Sequence, residues 1–115
     1  MNKNTLGWIG LAVLLAAGPG CFRNTISEIE LKIPAMKTEA CGRRVQEAIS
    51  SLGEGSIRDI RLEVGSRTVW VTYDNVRLGR RNIEVAVRNS GFAVNDLPAN
   101  EEARAKLAPE CQGNE

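Results

Sequence analysis

Residue patterning predicts an α+β fold of order β-α-β-β-α-β over residues 26–97. Three observations carry this reading. Apolar residues alternate with charged ones just ahead of Pro34. Apolar residues recur at helical spacing in two later segments. Between those segments lie two strand-like runs separated by Gly65-Ser66, a hairpin signal.

Each element follows from its own residues. Ile29, Leu31 and Ile33 alternate with Glu28, Glu30 and Lys32, the period of a half-buried strand, and Pro34 ends it. Thr38 suits a helix N-cap, and Glu39 suits the first turn. Cys41, Val45, Ala48, Ile49 and Leu52 then form an apolar stripe, with Arg43, Arg44, Gln46 and Glu47 on the wet side and Gly53 and Gly55 as the stop. Ile57–Glu63 reads as the second strand. Thr68–Tyr73 reads as the third, rich in β-branched and aromatic residues, and Asp74-Asn75 ends it. A second helix is expected over Arg80–Asn89, with Ile83, Ala86 and Val87 inward and Ser90-Gly91 as the stop. Phe92–Asn95 is expected to be a fourth strand. This order gives the ferredoxin-like βαββαβ arrangement, a four-stranded antiparallel sheet with two helices on one face and the other face open. Pro98 begins a polar tail, 98–115. It contains a short helical stretch, Glu101 to Leu107, and a loose end from Pro109.

The N-terminus reads as an export signal. Lys3 precedes an apolar run, Leu6–Ala17, that is shorter than the ~20 residues of a membrane span but fits a signal core. The following Gly18-Pro19-Gly20-Cys21 resembles the lipobox of bacterial lipoproteins at Gly20 and Cys21 and departs from it at Gly18 and Pro19. The favoured organisation is a signal peptide over 1–20, then a lipidated Cys21 and tether over 21–25, then the domain. On that reading the protein is a membrane-anchored lipoprotein facing the periplasm or cell exterior. Ordinary cleavage near Ala16-Ala17-Gly18 or Gly20, leaving Cys21 free, and an uncleaved anchor are the alternatives. All three put the domain where disulfides persist.

Composition narrows the function. The chain has 115 residues, with 15 Lys and Arg against 14 Asp and Glu. It carries none of the basic excess that nucleic-acid binding needs. With no histidine, imidazole metal sites and histidine acid–base chemistry are excluded. No Ser- or Cys-centred catalytic constellation is present, so no enzymatic role is expected. Of three cysteines, Cys21 belongs to the anchor, which leaves Cys41 and Cys111 in the folded part.

Ile26–Leu97 resembles the heavy-metal-associated domains, a family that includes copper chaperones, modules of copper-transporting ATPases and a periplasmic mercury-binding protein. The family hallmark is Gly-Met-x-Cys-x-x-Cys after the first strand. Here Ala35 stands for the glycine, Met36 matches, Thr38 replaces the first cysteine and Cys41 matches the second. Val45, Ala48, Ile49 and Leu52 match the first helix. Val69, Val71, Tyr73 and Asp74 resemble the third strand and its end. Ile83, Ala86, Gly91 and Phe92 resemble the second helix and the Gly-aromatic entry to the last strand. The resemblance implies a soft ion, Cu(I) first, handled through Cys41 and passed to or from a transporter or acceptor protein. It also implies that Met36 braces the loop from inside.

Soft ions prefer thiolates, and two opposed sulfurs suit their low coordination numbers. The helix N-terminus, with Lys37, Arg43 and Arg44 nearby, favours a thiolate at Cys41. The second sulfur has three candidate sources or substitutes: Cys111 from the tail, Cys41 of a second molecule, or Thr38 with a water. The competing reading is a metal-free interaction module of the same fold. There Thr38 is simply a cap, and Cys41 is idle or disulfide-bonded to Cys111, pinning the tail. A dithiol redox role needs a Cys-x-x-Cys pair, which Thr38 breaks. Trp70 should face the open side of the sheet, either as a docking aromatic or covered by Ala103 and Leu107 of the tail. Arg77, Arg80, Arg81 and Arg88 form a loose basic cluster, read as a solvated helix face.

Overall fold

A computed structural model describes residues 25–113. The expected signal peptide, Cys21 and most of the tether lie outside the described residues. Among those described, no helix is long and apolar enough to cross a membrane.

Strand β1 (Ile26–Lys32) is followed by helix α1 (Glu39–Ser50), the hairpin strands β2 (Ile57–Glu63) and β3 (Thr68–Asp74), and helix α2 (Arg80–Asn89). A short helix α3 (Glu101–Ala105) and a 3₁₀ turn (Pro109–Cys111) complete the described elements. The sheet has order β1-β3-β2, and both pairings are antiparallel. The central strand β3 buries Val69, Val71 and Tyr73 on one face and turns Trp70 and Thr72 to the other. Its neighbour β1 obeys the same period, so Ile29 and Leu31 join the core while Glu28, Glu30 and Lys32 stay wet, whereas β2 shifts register between Ile57 and Asp59 and leaves Ile60 and Leu62 half-buried. Against that apolar face pack Cys41, Val45 and Ile49 of α1 and Ile83 and Val87 of α2.

Among the described residues the expected fourth strand does not form, and the sheet is three-stranded rather than four-stranded. Phe92 and Val94 are buried as a strand there would bury them, but the chain turns back at once. Val94 and Leu97 bridge to each other, and Asn95 adopts a left-handed backbone (φ 50°). Asn95 bonds the edge of β1 that a fourth strand would have paired. Its N–H donates to the carbonyl of Lys32 at 3.0 Å. Its Oδ1 accepts from the Lys32 N–H at 2.9 Å. Asn tolerates the left-handed region because its short polar side chain bonds locally, and here it takes the place of a strand's ladder.

The same Asn95 reaches the helix layer. Its Nδ2 donates to Glu84 Oε2 at 2.7 Å. Glu84 is a buried carboxylate on α2 that also pairs with Arg81 at 3.1 Å and Arg80 at 3.8 Å. Arg80 and Arg81 of the expected basic cluster are therefore engaged in part from within. Arg81 also holds the exposed Asp96 carboxyl below its ordinary value, by a side-chain hydrogen bond first and by charge as well.

The hairpin also differs in detail. Its left-handed residue is Arg67 (φ 56°), not a glycine. Arg67 is held there from β1: its carbonyl accepts from the Ile33 N–H at 2.9 Å, and its guanidinium donates to the Pro34 carbonyl at 3.2 Å. The hairpin tip thus grips the loop that leads into α1.

Candidate functional site

The site lies where β1 hands over to α1. Pro34 ends the strand, the backbone turns through Ala35, and Thr38 starts the helix from an extended conformation. The N–H of Cys41 donates to Thr38 Oγ1 at 3.3 Å, a side-chain cap in the first turn of α1. The Thr38 hydroxyl in turn donates to Cys41 Sγ at 3.2 Å. Met36 is fully buried beneath the loop, its sulfur close to the backbone of Gly42.

Cys41 and Cys111 are joined in a disulfide across a sequence separation of 70. Of the options left open for Cys41, the structure has the disulfide with Cys111; Cys41 is 0% exposed and Cys111 is 3% exposed. The expected loose end is corrected. Pro109–Cys111 forms a 3₁₀ turn laid over the loop, because the sulfur bridge is only one of its attachments.

The tail is docked along its length. Asn100 caps α3 through its own side chain, which accepts from the Ala103 N–H at 3.0 Å, and its N–H donates to the Arg88 carbonyl at 3.1 Å. Gly91 (φ 108°) lies against α3 so closely that a Cβ there would stand 2.9 Å from the backbone nitrogen of Arg104. Leu107 enters the core. Arg104 reaches forward from α3 and clamps the chain end, donating from Nε to the Gln112 carbonyl and from Nη2 to the Gly113 carbonyl at 3.0 Å. Gly113 (φ 63°) ends on Ala35, where a Cβ would lie 2.7 Å from the alanine Cβ. A cavity of about 480 Å³ opens beside this contact, lined in part by Ala35, Gly91, Arg104, Gln112 and Gly113.

Residue patterning did not single out Arg104, Gly113 or the docking role of Gly91. The signal for Gly91 was present, since a glycine after a helix is a stop, but the stop also opens room for α3. Arg104 sits in a short charged helix beside Glu101, with which it pairs at 3.1 Å, and looked like surface.

Trp70 does lie on the open sheet face, opposite Glu30 and Arg61. The tail does not account for its cover, because α3 and Leu107 pack at Gly91 on the core side. Instead the Arg61 guanidinium lies 4.6 Å from the ring centroid, a cation–π contact.

With the bridge closed no thiolate is free at the loop. Opened, it would offer two sulfurs side by side. Among the described residues no group of three or more Cys, His, Asp or Glu could hold a metal ion.

No family model matches the chain, and no curated protein matches it. Solved structures do. Oxidized MerP from Ralstonia metallidurans CH34 is similar at 21% identity, covering 61% of this chain and 94% of that one, with a TM-score of 0.57. A putative copper-ion-binding protein from Bacillus anthracis str. Ames is similar at 18% identity, covering 64% and 100%, also with a TM-score of 0.57. The N-terminal domain of a potential copper-translocating P-type ATPase from Bacillus subtilis, in a Cu(I)-loaded state, is similar at 18% identity, covering 61% and 85%, with a TM-score of 0.56. Over the 61–64% of the chain that these structures cover, the fold is like that of the heavy-metal-associated domains.

Proposed function

We propose that this chain is an exported, lipid-anchored module that captures or transfers a soft metal ion, Cu(I) first, through Cys41 with Cys111 as the second thiolate. The ion is cargo, received from or handed to a transporter or acceptor protein, and Cys21 supplies the membrane anchor. One observation carries the reading: the tail sets Cys111 against Cys41, so the sulfur that Thr38 fails to provide arrives from elsewhere in the chain. That the named neighbours include a putative copper-ion-binding protein and a domain of a potential copper-translocating ATPase in a Cu(I)-loaded state supports the choice of ion. Cu(I) accepts two thiolates without further ligands. In this reading the ion-competent form is the reduced one, and the bridge is the closed form.

The test is an anaerobic Cu(I) titration of the reduced protein against a chromophoric Cu(I) chelator, beside the variants Cys41→Ser and Cys111→Ser. The expected result is one ion held by the parent protein and a loss of affinity of at least ~10-fold in each variant. Equal binding by parent and Cys41→Ser overturns the reading.

A second reading is favoured by the depth of the tail docking. Arg104, Leu107 and Gly91 hold the tail in place independently of the sulfurs. A permanent staple on a metal-free interaction module would look the same. On that reading the reduced protein binds no Cu(I), and the bridge serves stability alone.

A further inference from the structure

We infer that the Cys41–Cys111 bridge is an exchangeable redox pair with a fixed polarity: an incoming thiol attacks Cys111, and Cys41 departs as the thiolate. The inference uses the two sulfurs of the proposed metal site but needs no ion, so either can fail without the other.

The two sulfurs are unequal in what surrounds them. Cys41 lies in the first turn of the twelve-residue helix α1, with no exposed surface. A sulfur leaving there keeps the bond donated by the Thr38 hydroxyl, 3.2 Å away, and faces the positive end of the helix. Both offset part of the cost of burying an anion there, and access sets the direction, because Cys41 presents no surface to an incoming thiol. Cys111 has neither aid. It sits in a three-residue 3₁₀ turn at the chain end, 3% exposed, held down by the Arg104 clamp on the next two carbonyls. The cavity lined by Arg104, Gln112 and Gly113 opens beside that turn. Lifting the turn presents Cys111 while Cys41 stays in the core.

Thr38 thereby acquires a positive role. A cysteine at that position would have made a local pair within the loop. The threonine instead supplies a donor to the remaining sulfur, and the tail supplies the partner. Pairing within Cys-x-x-Cys, absent here, is replaced by pairing through the fold.

The step balances with an exported dithiol as reductant. Its thiolate attacks Cys111 Sγ, the Cys41–Cys111 bond breaks, a mixed disulfide forms on Cys111, and the bonding electron pair leaves on Cys41. The second thiol of the dithiol, after losing its proton to water, attacks its own sulfur in the mixed disulfide and frees Cys111. The dithiol is oxidised to a disulfide, and the pair gains two electrons.

The experiment exposes the full-length oxidised protein to excess glutathione under native conditions, quenches at early times with acid, alkylates free thiols and maps them after trypsin. Cys41 falls in Thr38–Arg43 and Cys111 in Leu107–Glu115, so the two are read separately, and apart from Cys21. Glutathione on Cys111 with alkyl on Cys41 is expected, at about tenfold or more over the reverse. Thr38→Val should slow opening about fivefold, and Thr38→Ser should restore it. Glutathione chiefly on Cys41 overturns the inference. So does opening no faster than global unfolding, or Thr38→Val opening as fast as the parent.

Discussion

Gly91 shows how a single position decides where the tail can go. Its φ of 108° is a conformation that side-chain-bearing residues rarely adopt, and the space where a Cβ would stand is filled by the backbone of Ala103 and Arg104. Backbone yields less readily than a flexible side chain, so the two penalties act together. Gly91→Ala is expected to destabilise the protein by roughly 2–4 kcal/mol, read from urea denaturation. The two parts are separable. In a chain shortened after Ala99 the clash with α3 is gone, and the same substitution should cost only the conformational part, about 1 kcal/mol. Equal losses in the two backgrounds would show that α3 does not rest on Gly91.

Among the elements, the edge of β1 joins fold to sequence most instructively. Asn95 bonds both backbone groups of Lys32 and then reaches Glu84, so one side chain links sheet to helix layer. Asn95→Ala removes the side-chain bonds, leaves a buried carboxylate with one donor fewer and places an alanine at positive φ. A loss of about 2–3 kcal/mol is expected, with the amide of Lys32 exchanging faster while that of Leu31 holds. Asn95→Gly keeps the backbone conformation and should cost less. Here lies the limit of what patterning could reveal. Strands β1 and β3 and both long helices were legible because each buries one periodic face: Ile29 and Leu31, Val69 and Val71, Val45 and Ile49, Ile83 and Val87. Phe92 and Val94 have the same period, but period reports burial and not pairing. A four-residue run cannot disclose that its last residue will turn back. Glu84 was hidden for the complementary reason, a charge placed inside because Asn95 and Arg81 satisfy it there. At the site, Thr38 and Cys41 could be located from the loop and cap pattern. That Cys111 bonds Cys41 was only one of several open options, because 70 residues separate them and no local rule spans that distance.

For the whole molecule, the bridge closes a loop of 70 residues that takes in every described element after β1 and the start of α1. On the chain-entropy model a loop of that size contributes about 4 kcal/mol, mostly by restricting the unfolded chain. The folded contacts of the tail are a separate quantity. Arg104, Leu107 and the Asn100 cap remain available when the sulfurs part, so reduction should not release the tail outright. It should make the tail the least stable part of a domain that is otherwise intact. Hydrogen exchange on the reduced protein tests this. Amides of 101–113 are expected to exchange at least ~10-fold faster than in the oxidised form, because their opening no longer requires the rest of the fold to open. Amides of β3, which buries Val69 and Val71 at the centre of the sheet, should keep their protection relative to global stability. A further Arg104→Ala change should add to the tail's exchange and leave β3 unmoved, because the clamp touches only the chain end. Uniform loosening of tail and sheet on reduction would mean that tail and core unfold as one unit. The bridge would then be part of the core, and a loop that opens to admit an ion or a thiol would have no separate element to move.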